Sequence, residues 1–343
     1  MQYLSSITPS NKRVLIRLDL DLPQSSDGAF DTTRMEDSFE TLCYLWQHKA
    51  AHVTAIAHRG HDVKKTKNFS LTPIAKILFE KLLTQKAFKK ATPESLAAWL
   101  ELKENLRFDP REEEASKEFA KELAKGQDLF VNEAFATSHR SHTSIVKVPE
   151  LLPTVFGFQF EKEMKVLEKI TGTPKRPFMF VLGGAKLETK LPLLEKIAEL
   201  VDVILVGGKL AVEAKARKLE FSDTLRRRMI IADLTEDGFD IDLKATEQFE
   251  RFVTEAKTLV WNGPMGKYED VEHREGTKRV AEAIANGNGY KVIGGGDTEA
   301  ALTILGLDRL KGFDHISSGG GALLHYLAYR SLPGIEAATI KVI

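Results

Sequence analysis

Five short apolar runs in the second half of the chain end in glycine: Phe178-Met-Phe-Val-Leu-Gly-Gly184, Val203-Ile-Leu-Val-Gly-Gly208, Leu259-Val-Trp-Asn-Gly-Pro264, Val292-Ile-Gly-Gly-Gly-Asp297 and His315-Ile-Ser-Ser-Gly-Gly-Gly321. A glycine turn that enters a helix lets backbone N–H groups approach phosphate oxygens, and the helix N-terminus adds favourable partial charge. A single turn of this kind is as often a tight connection with no ligand; five together favour a phosphate cradle. In Gly183-Gly-Ala-Lys-Leu-Glu-Thr-Lys190, Lys186 and Lys190 are four residues apart, on one face of a helix starting at the glycines, so two cations would face the phosphates. Asp297, after Gly294, Gly295 and Gly296, either caps a helix or holds magnesium that bridges nucleotide phosphates. Neither Gly-x-x-x-x-Gly-Lys-Ser/Thr nor Gly-x-Gly-x-x-Gly occurs, so the cradle is of neither familiar kind.

The first half supplies a contrasting set: Asp19, Asp21, Arg34, His58-Arg-Gly-His61, Arg107 and His139-Arg-Ser-His142. Arginine forks bind carboxylate and phosphate through two parallel hydrogen bonds, which suits a small substrate carrying both groups. Any one of these arginines could equally end in a surface salt bridge. The two His-x-x-His spacings also admit a metal centre, although such sites recruit carboxylates or thiolates rather than a crowd of arginines.

Short aliphatic runs must position these residues, and they alternate with helical patterns. Arg13–Leu18, the helix pattern Met35–Gln47 and His52–Ala57 read as strand, helix, strand, hence a parallel α/β sheet; a helix over Leu71–Leu83 and a strand over Asp128–Asn132 continue the pattern. Ser70 or Thr72 can cap that helix, and Pro73 suits its first turn. An amphipathic helix over Phe158–Ile170 and the loop to Pro177 mark a boundary between two lobes. If the five later strands are parallel, their glycine turns gather at the carboxyl edge of one sheet, where open α/β folds bind ligands.

A chain of 343 residues is long enough for two domains with cores of their own, and 43% hydrophobic with 29% charged residues is an ordinary globular balance. Lysine plus arginine equals aspartate plus glutamate at 49 each, which leaves no overall field for a nucleic acid or an anionic membrane. Cys43, the only cysteine, sits among apolar residues, can form no intrachain disulfide and fits a reducing compartment. With no apolar signal core at the start and no stretch long enough to cross a bilayer, a cytoplasmic protein is expected.

Arg17-Leu-Asp-Leu-Asp-Leu-Pro23, Glu104-Asn-Leu-Arg-Phe108, Asn132-Glu-Ala-Phe-Ala-Thr-Ser-His-Arg-Ser-His142, Gly183-Gly-Ala-Lys186, Val260-Trp-Asn-Gly-Pro-Met-Gly-Lys-Tyr-Glu269, Gly294-Gly-Gly-Asp-Thr298 and Ser317–Gly321, in this order, resemble the phosphoglycerate kinase family from about residue 13 to Leu332-Pro-Gly334. The resemblance implies an α/β fold of two doubly wound parallel-sheet lobes joined by a hinge helix. Residues 1–157 would form the phosphoglycerate-binding lobe, with 325–343 returning to it, 158–175 the hinge helix and loop, and 176–324 the nucleotide lobe. It implies reversible phosphoryl transfer between 1,3-bisphosphoglycerate and ADP in a monomeric, hinge-bending enzyme that uses magnesium and small-molecule substrates. By similarity Arg34, His58, Arg107 and Arg140, with Asp19, would bind the phosphoglycerate, and Asp21 and Arg59 fall in the same site. Lys190, Asn262, Glu269, Asp297 and Thr298 would serve the nucleotide, with Asp297 on the metal and Gly183, Gly184, Gly207, Gly208, Pro264, Gly294, Gly295, Gly296, Gly319, Gly320 and Gly321 around it. Lys186 and Arg34 would stabilise the phosphoryl group in flight. The alternatives are a kinase for another small carboxylate and a silent nucleotide-binding relative.

The chain departs from the family pattern at Asp21, where an asparagine is usual, at Arg59 and His61, at Asp242 and Leu323, and after Gly208; it is also shorter than its relatives. An unpaired Asp21 would repel an anionic acceptor, so pairing with Arg59 is expected.

Overall fold

The computed structural model describes residues 1–25, 27–60, 67–184, 187–216, 221–307 and 312–339. The chain forms two compact units, Met1–Met164 with the chain from Ser331 onward, and Lys165–Arg330.

The first unit contains β1 (Arg13–Arg17), α1 (Thr33–Glu36), α2 (Phe39–Gln47), β2 (His52–Ile56), α3 (Thr72–Thr84), α4 (Pro93–Trp99), β3 (Leu100–Leu102), α5 (Lys117–Ala124), β4 (Leu129–Asn132) and β5 (Thr154–Phe156). The sheet is parallel in the order β3-β2-β1-β4-β5. Successive strand side chains point to opposite faces, and in β1 both faces are apolar. Val14 and Ile16 join one core with Leu42, Leu45, Ile74 and Leu78, while Leu15 joins another with Ile56, Phe119, Phe130 and Val148. Helices therefore cover both faces. Over α3, Pro73 sits in the first turn, but neither Ser70 nor Thr72 is the cap: the N-cap is Leu71, with no side-chain bond, and Ser70 Oγ accepts from Thr72 N at 3.1 Å just before it.

α6 (Phe158–Gly172) carries the chain across the boundary into the second unit. There follow β6 (Phe178–Leu182), α7 (Leu187–Leu200), β7 (Val203–Val206), α8 (Gly208–Ala216), α9 (Asp223–Arg228), β8 (Met229–Ile231), α10 (Leu243–Glu255), β9 (Thr258–Asn262), α11 (Glu275–Asn286), β10 (Tyr290–Gly294), α12 (Gly296–Ile304), β11 (His315–Ser317) and α13 (Gly320–Tyr329). α14 (Pro333–Thr339) returns to the first unit and packs on the 143–147 turn.

All neighbouring strands of this sheet are parallel, in the order β11-β10-β9-β6-β7-β8. Counted within the unit this is the strand order common to dinucleotide-binding folds, reached here without their glycine fingerprint. The order reverses between β6 and β9, and a crevice at such a switch point is where open α/β sheets take ligands. Each of the five glycine turns follows the carboxyl end of a strand, as the sequence implies. β8, a sixth strand of three residues, has no such turn.

Candidate active site

In the second unit the turns after β6 and β9 close on each other. Gly183 N donates to Asn262 O at 2.9 Å and Gly184 N to Pro264 O at 3.1 Å. A Cβ on Gly183 would lie 1.9 Å from Pro264 O, so no side chain fits there. Asn262 Nδ2 donates to Gly294 O at 2.7 Å, and Gly263 N donates to Thr298 Oγ1 at 2.8 Å, which ties the β10 turn to the same point. Gly320 comes in so closely that a Cβ would fall 2.6 Å from Gly295 Cα, and Gly208 N donates to Met265 O at 2.7 Å. Four of the five turns are thus joined by direct hydrogen bonds, the fifth by packing. Asn262 and Thr298, expected at the nucleotide, brace these turns.

Beside them lies a cavity of about 590 Å³ lined by Gly184, Gly208, Pro264, Glu269 and Asp297, among others. Lys190, on α7, turns back so that Nζ donates to Gly183 O at 3.1 Å; burial lowers its pKa, and the charge of Asp297 pulls the other way. Asp297 is exposed and does not cap: the N-cap of α12 is Gly295, with no side-chain bond. Of its two readings, capping is therefore removed, and a carboxylate is left at the cavity beside Glu269. Lys186 lies outside the described residues.

Two departures from the family pattern have local causes. Asp242 N-caps α10 through a 2.7 Å bond from Ala245 N. Leu323 is buried under the β10 turn, where a Cβ on Gly294 would meet its Cδ2 at 2.3 Å.

In the first unit the expected acceptor residues converge after β1, β2, β3 and β4. Arg17, which the sequence reading did not single out, organises them. It is fully buried in β1, with Nε donating to Ser144 Oγ at 3.0 Å and Nη1 to Leu18 O at 2.6 Å. Ser144 Oγ in turn donates to the buried Glu112 at 2.5 Å. Nη2 of Arg17 lies 3.0 Å from His58 Nδ1. Arginine can only donate, so Nδ1 accepts and a neutral His58 carries its proton on Nε2. Burial first, then Arg17, Arg107 and Arg140, hold His58 well below the usual histidine range. His142 is pushed down to about 4 by burial and the same arginines.

His58 Nε2 is 3.7 Å from Asp21 Oδ2, and Asp21 Oδ1 accepts from Gly60 N at 2.8 Å. Arg34, on α1, reaches Asp19 Oδ2 at 3.9 Å; burial raises the Asp19 pKa and Arg34 opposes it. Arg107 is buried, donates to Gly60 O and stands 3.3 Å from Glu113. The expected Asp21–Arg59 pair is not formed: Arg59 donates to Asn68 O at 2.5 Å and Gln24 Oε1 at 3.0 Å and lies over the Phe30 ring. The short Asp21–Gly60 bond takes the place that pairing would fill. His61 lies outside the described residues, and no group of three metal-ligating side chains is found among those described.

An open parallel α/β unit with glycine turns at its switch point, on one chain with a second such unit that clusters arginines, defines a protein of the two-lobed α/β kinase class. The phosphoglycerate kinase family model matches residues 4–230 and 211–330. The chain is 33% identical to the phosphoglycerate kinase of Thermomicrobium roseum over 388 aligned positions covering 98% of both proteins. It is 35% identical to that of a Roseiflexus species over 384 positions covering 96% of both. The phosphoglycerate kinase structure from Pyrococcus horikoshii superposes with a TM-score of 0.80 at 26% identity, over 99% of both chains. That from Coxiella burnetii gives 0.78 at 28% over 98% of both. The chain belongs to the phosphoglycerate kinase family. Alignments longer than its 343 residues mean that relatives carry segments it lacks.

Proposed function

We propose that this chain transfers a phosphoryl group reversibly between 1,3-bisphosphoglycerate and ADP, giving 3-phosphoglycerate and ATP, with the acceptor on the arginine-rich unit and the nucleotide on the glycine-rich one. The observation that carries the reading is the β6/β9 crevice, where side-chain-free turns border a cavity holding Asp297 and Glu269. An acceptor carboxylate is ionised at neutral pH and needs no general base, so positioning and charge stabilisation do the chemistry. Arg34, with Arg107, Arg140 and neutral His58, orients the acceptor's two anionic ends. Lys190 and the helix N-termini that the glycine turns open hold the nucleotide phosphates, while the amides of Gly183, Gly184, Gly208 and Gly263 hold the turns together. Asp297 would hold magnesium, and the ion would neutralise charge on those phosphates. Lys186, assigned by its place in the Gly183-Gly-Ala-Lys186 motif, stabilises the transferring group with Arg34.

A coupled assay with magnesium, ATP and 3-phosphoglycerate tests the function, and turnover is the expected result. Bound ligands without turnover would instead support a silent relative. Lys186→Ala should lower kcat about 100–1000-fold with the Kd for ADP nearly unchanged; unaltered kcat would remove Lys186 from the mechanism.

A further inference from the structure

At the rim of the nucleotide cavity stands a cluster that phosphate binding does not use. The loop 235–240 is closed by bonds from Thr235 N to Asp240 O at 3.0 Å and from Gly238 N to Thr235 O at 2.9 Å. It presents Phe239, which is 53% exposed although large and apolar, at the cavity wall. One backbone bond, Lys267 N to Phe239 O at 2.8 Å, joins this loop to the facing wall. Asp240 Oδ2, at the end of the loop, accepts from Gly276 N at 2.8 Å, and the tip is held through His273. Its Nε2 lies 2.6 Å from Asp237 Oδ2 and its Nδ1 3.1 Å from Asp270 Oδ2. Its ring meets Phe239 edge-on, with centroids 5.2 Å apart. Lys267 Nζ stands 5.6 Å from the Phe239 centroid and 3.7 Å from Asp270.

We propose that His273 is a positioning residue for nucleotide binding: by bridging Asp237 and Asp270 it holds the loop so that Phe239 forms a wall for the flat apolar face of the base. The inference rests on the nucleotide reading of this cavity. Nε2 is hydrogen-bonded to Asp237, whereas Nδ1 meets Asp270 as an ion-pair contact without hydrogen-bond alignment, and two carboxylates this close favour the imidazolium by charge. The carboxylates correspondingly raise the His273 pKa. The other charged groups facing it are Asp240, Glu275 and Lys267. Asp240 is raised to about 6 by burial and accepts from Gly276 N at 2.8 Å. As pH rises through the His273 pKa one arm of the clamp is lost, the loop gains freedom, and binding must then order it. Freezing one or two such side chains weakens binding by about three- to tenfold.

The test compares ADP binding by the full chain and by His273→Gln between about pH 6.5 and 9, so that titration of ADP itself cancels in the ratio. Wild type should bind about three- to tenfold tighter at the low end and match the variant at the high end. Phe239→Ala should weaken ADP binding at both ends and leave the Kd for 3-phosphoglycerate unchanged. A ratio independent of pH, or full affinity in Phe239→Ala, overturns the inference. Should His273→Gln fail to fold, the His273 ring can be titrated by NMR in wild type: saturating ADP must raise its pKa, since linkage is reciprocal, and no shift overturns the clamp. Absence of ADP binding by wild type at every pH defeats the nucleotide reading itself and the inference with it.

Discussion

Asp21 brings a negative charge into a site assembled for anions. At about 4 Å and an effective dielectric of about 20, repulsion from a bound anion would reach about 4 kcal/mol if nothing offset it. Its neighbours do offset it: Gly60 N donates to one oxygen, and the Nε2–H that Arg17 leaves on His58 faces the other. Arg59 makes no bond to Asp21, since its fork is spent on Asn68 O and Gln24, and acts on it only through its charge. Asp21→Asn keeps an oxygen for Gly60 N and removes the charge. The KM for 3-phosphoglycerate should therefore fall, by about tenfold or less. In a double-mutant cycle with Arg59→Leu the two effects should add within about 0.5 kcal/mol, as for residues that share no bond; strong coupling would restore the pairing expected from sequence. The residues of this site were legible because they sit in loops after strands, where a cluster of arginines and histidines has no packing role to explain it. Arg17 was not, because a cation inside an apolar strand is placed by partners 95 and 127 residues away, Glu112 and Ser144.

Glu133 links the end of β4 to the start of α6. It is buried, accepting from Thr41 Oγ1 at 2.6 Å and from Gln159 N at 3.1 Å, and burial lifts its pKa to about 8. The unfolded carboxyl titrates near pH 4.3. Between those values the folded chain binds the extra proton, so stability falls as pH rises through the window and the loss is complete above about pH 8. His142 acts at the other end: with a folded pKa of about 4, its contribution is lost as pH falls below the unfolded histidine value. Glu133→Gln keeps the acceptor and cannot ionise. Its unfolding midpoint should decline less than that of wild type between about pH 6.5 and 8.5; parallel curves would show that Glu133 does not titrate there. A Cβ at Gly157 would fall 1.9 Å from Glu133 Oε2, so Gly157 is fixed by this contact rather than by its turn. The strands β1, β2, β4, β6, β7, β9 and β10 were readable from apolar runs and their flanking turns, and the three-residue β11 through the glycine run that follows it. β3, β5 and β8 were not, because three residues carry no period, and only their neighbours in the sheet make strands of them.

The relatives carry segments this chain lacks, yet the described residues hold a five-stranded and a six-stranded parallel sheet, each with its carboxyl edge furnished. What the reaction requires of the whole molecule follows from where the groups lie: the proposed acceptor cations on one compact unit, the glycine turns and the proposed nucleotide cavity on the other. In-line transfer needs the reacting atoms about 3–3.5 Å apart, with water kept out, whereas each substrate needs an open path in and each product a path out. A single fixed geometry cannot meet both demands. Helix α6 contributes residues to both units, and α14 brings the chain back to the first, so any change of geometry must be taken up at these two crossings. Neither substrate alone supplies both halves of the contact. The radius of gyration from small-angle scattering should therefore fall when magnesium nucleotide and 3-phosphoglycerate are both bound, and change less with either alone. If calorimetry confirms both ligands bound while the scattering curve stays that of the free protein, the proposal of closure around the two substrates fails.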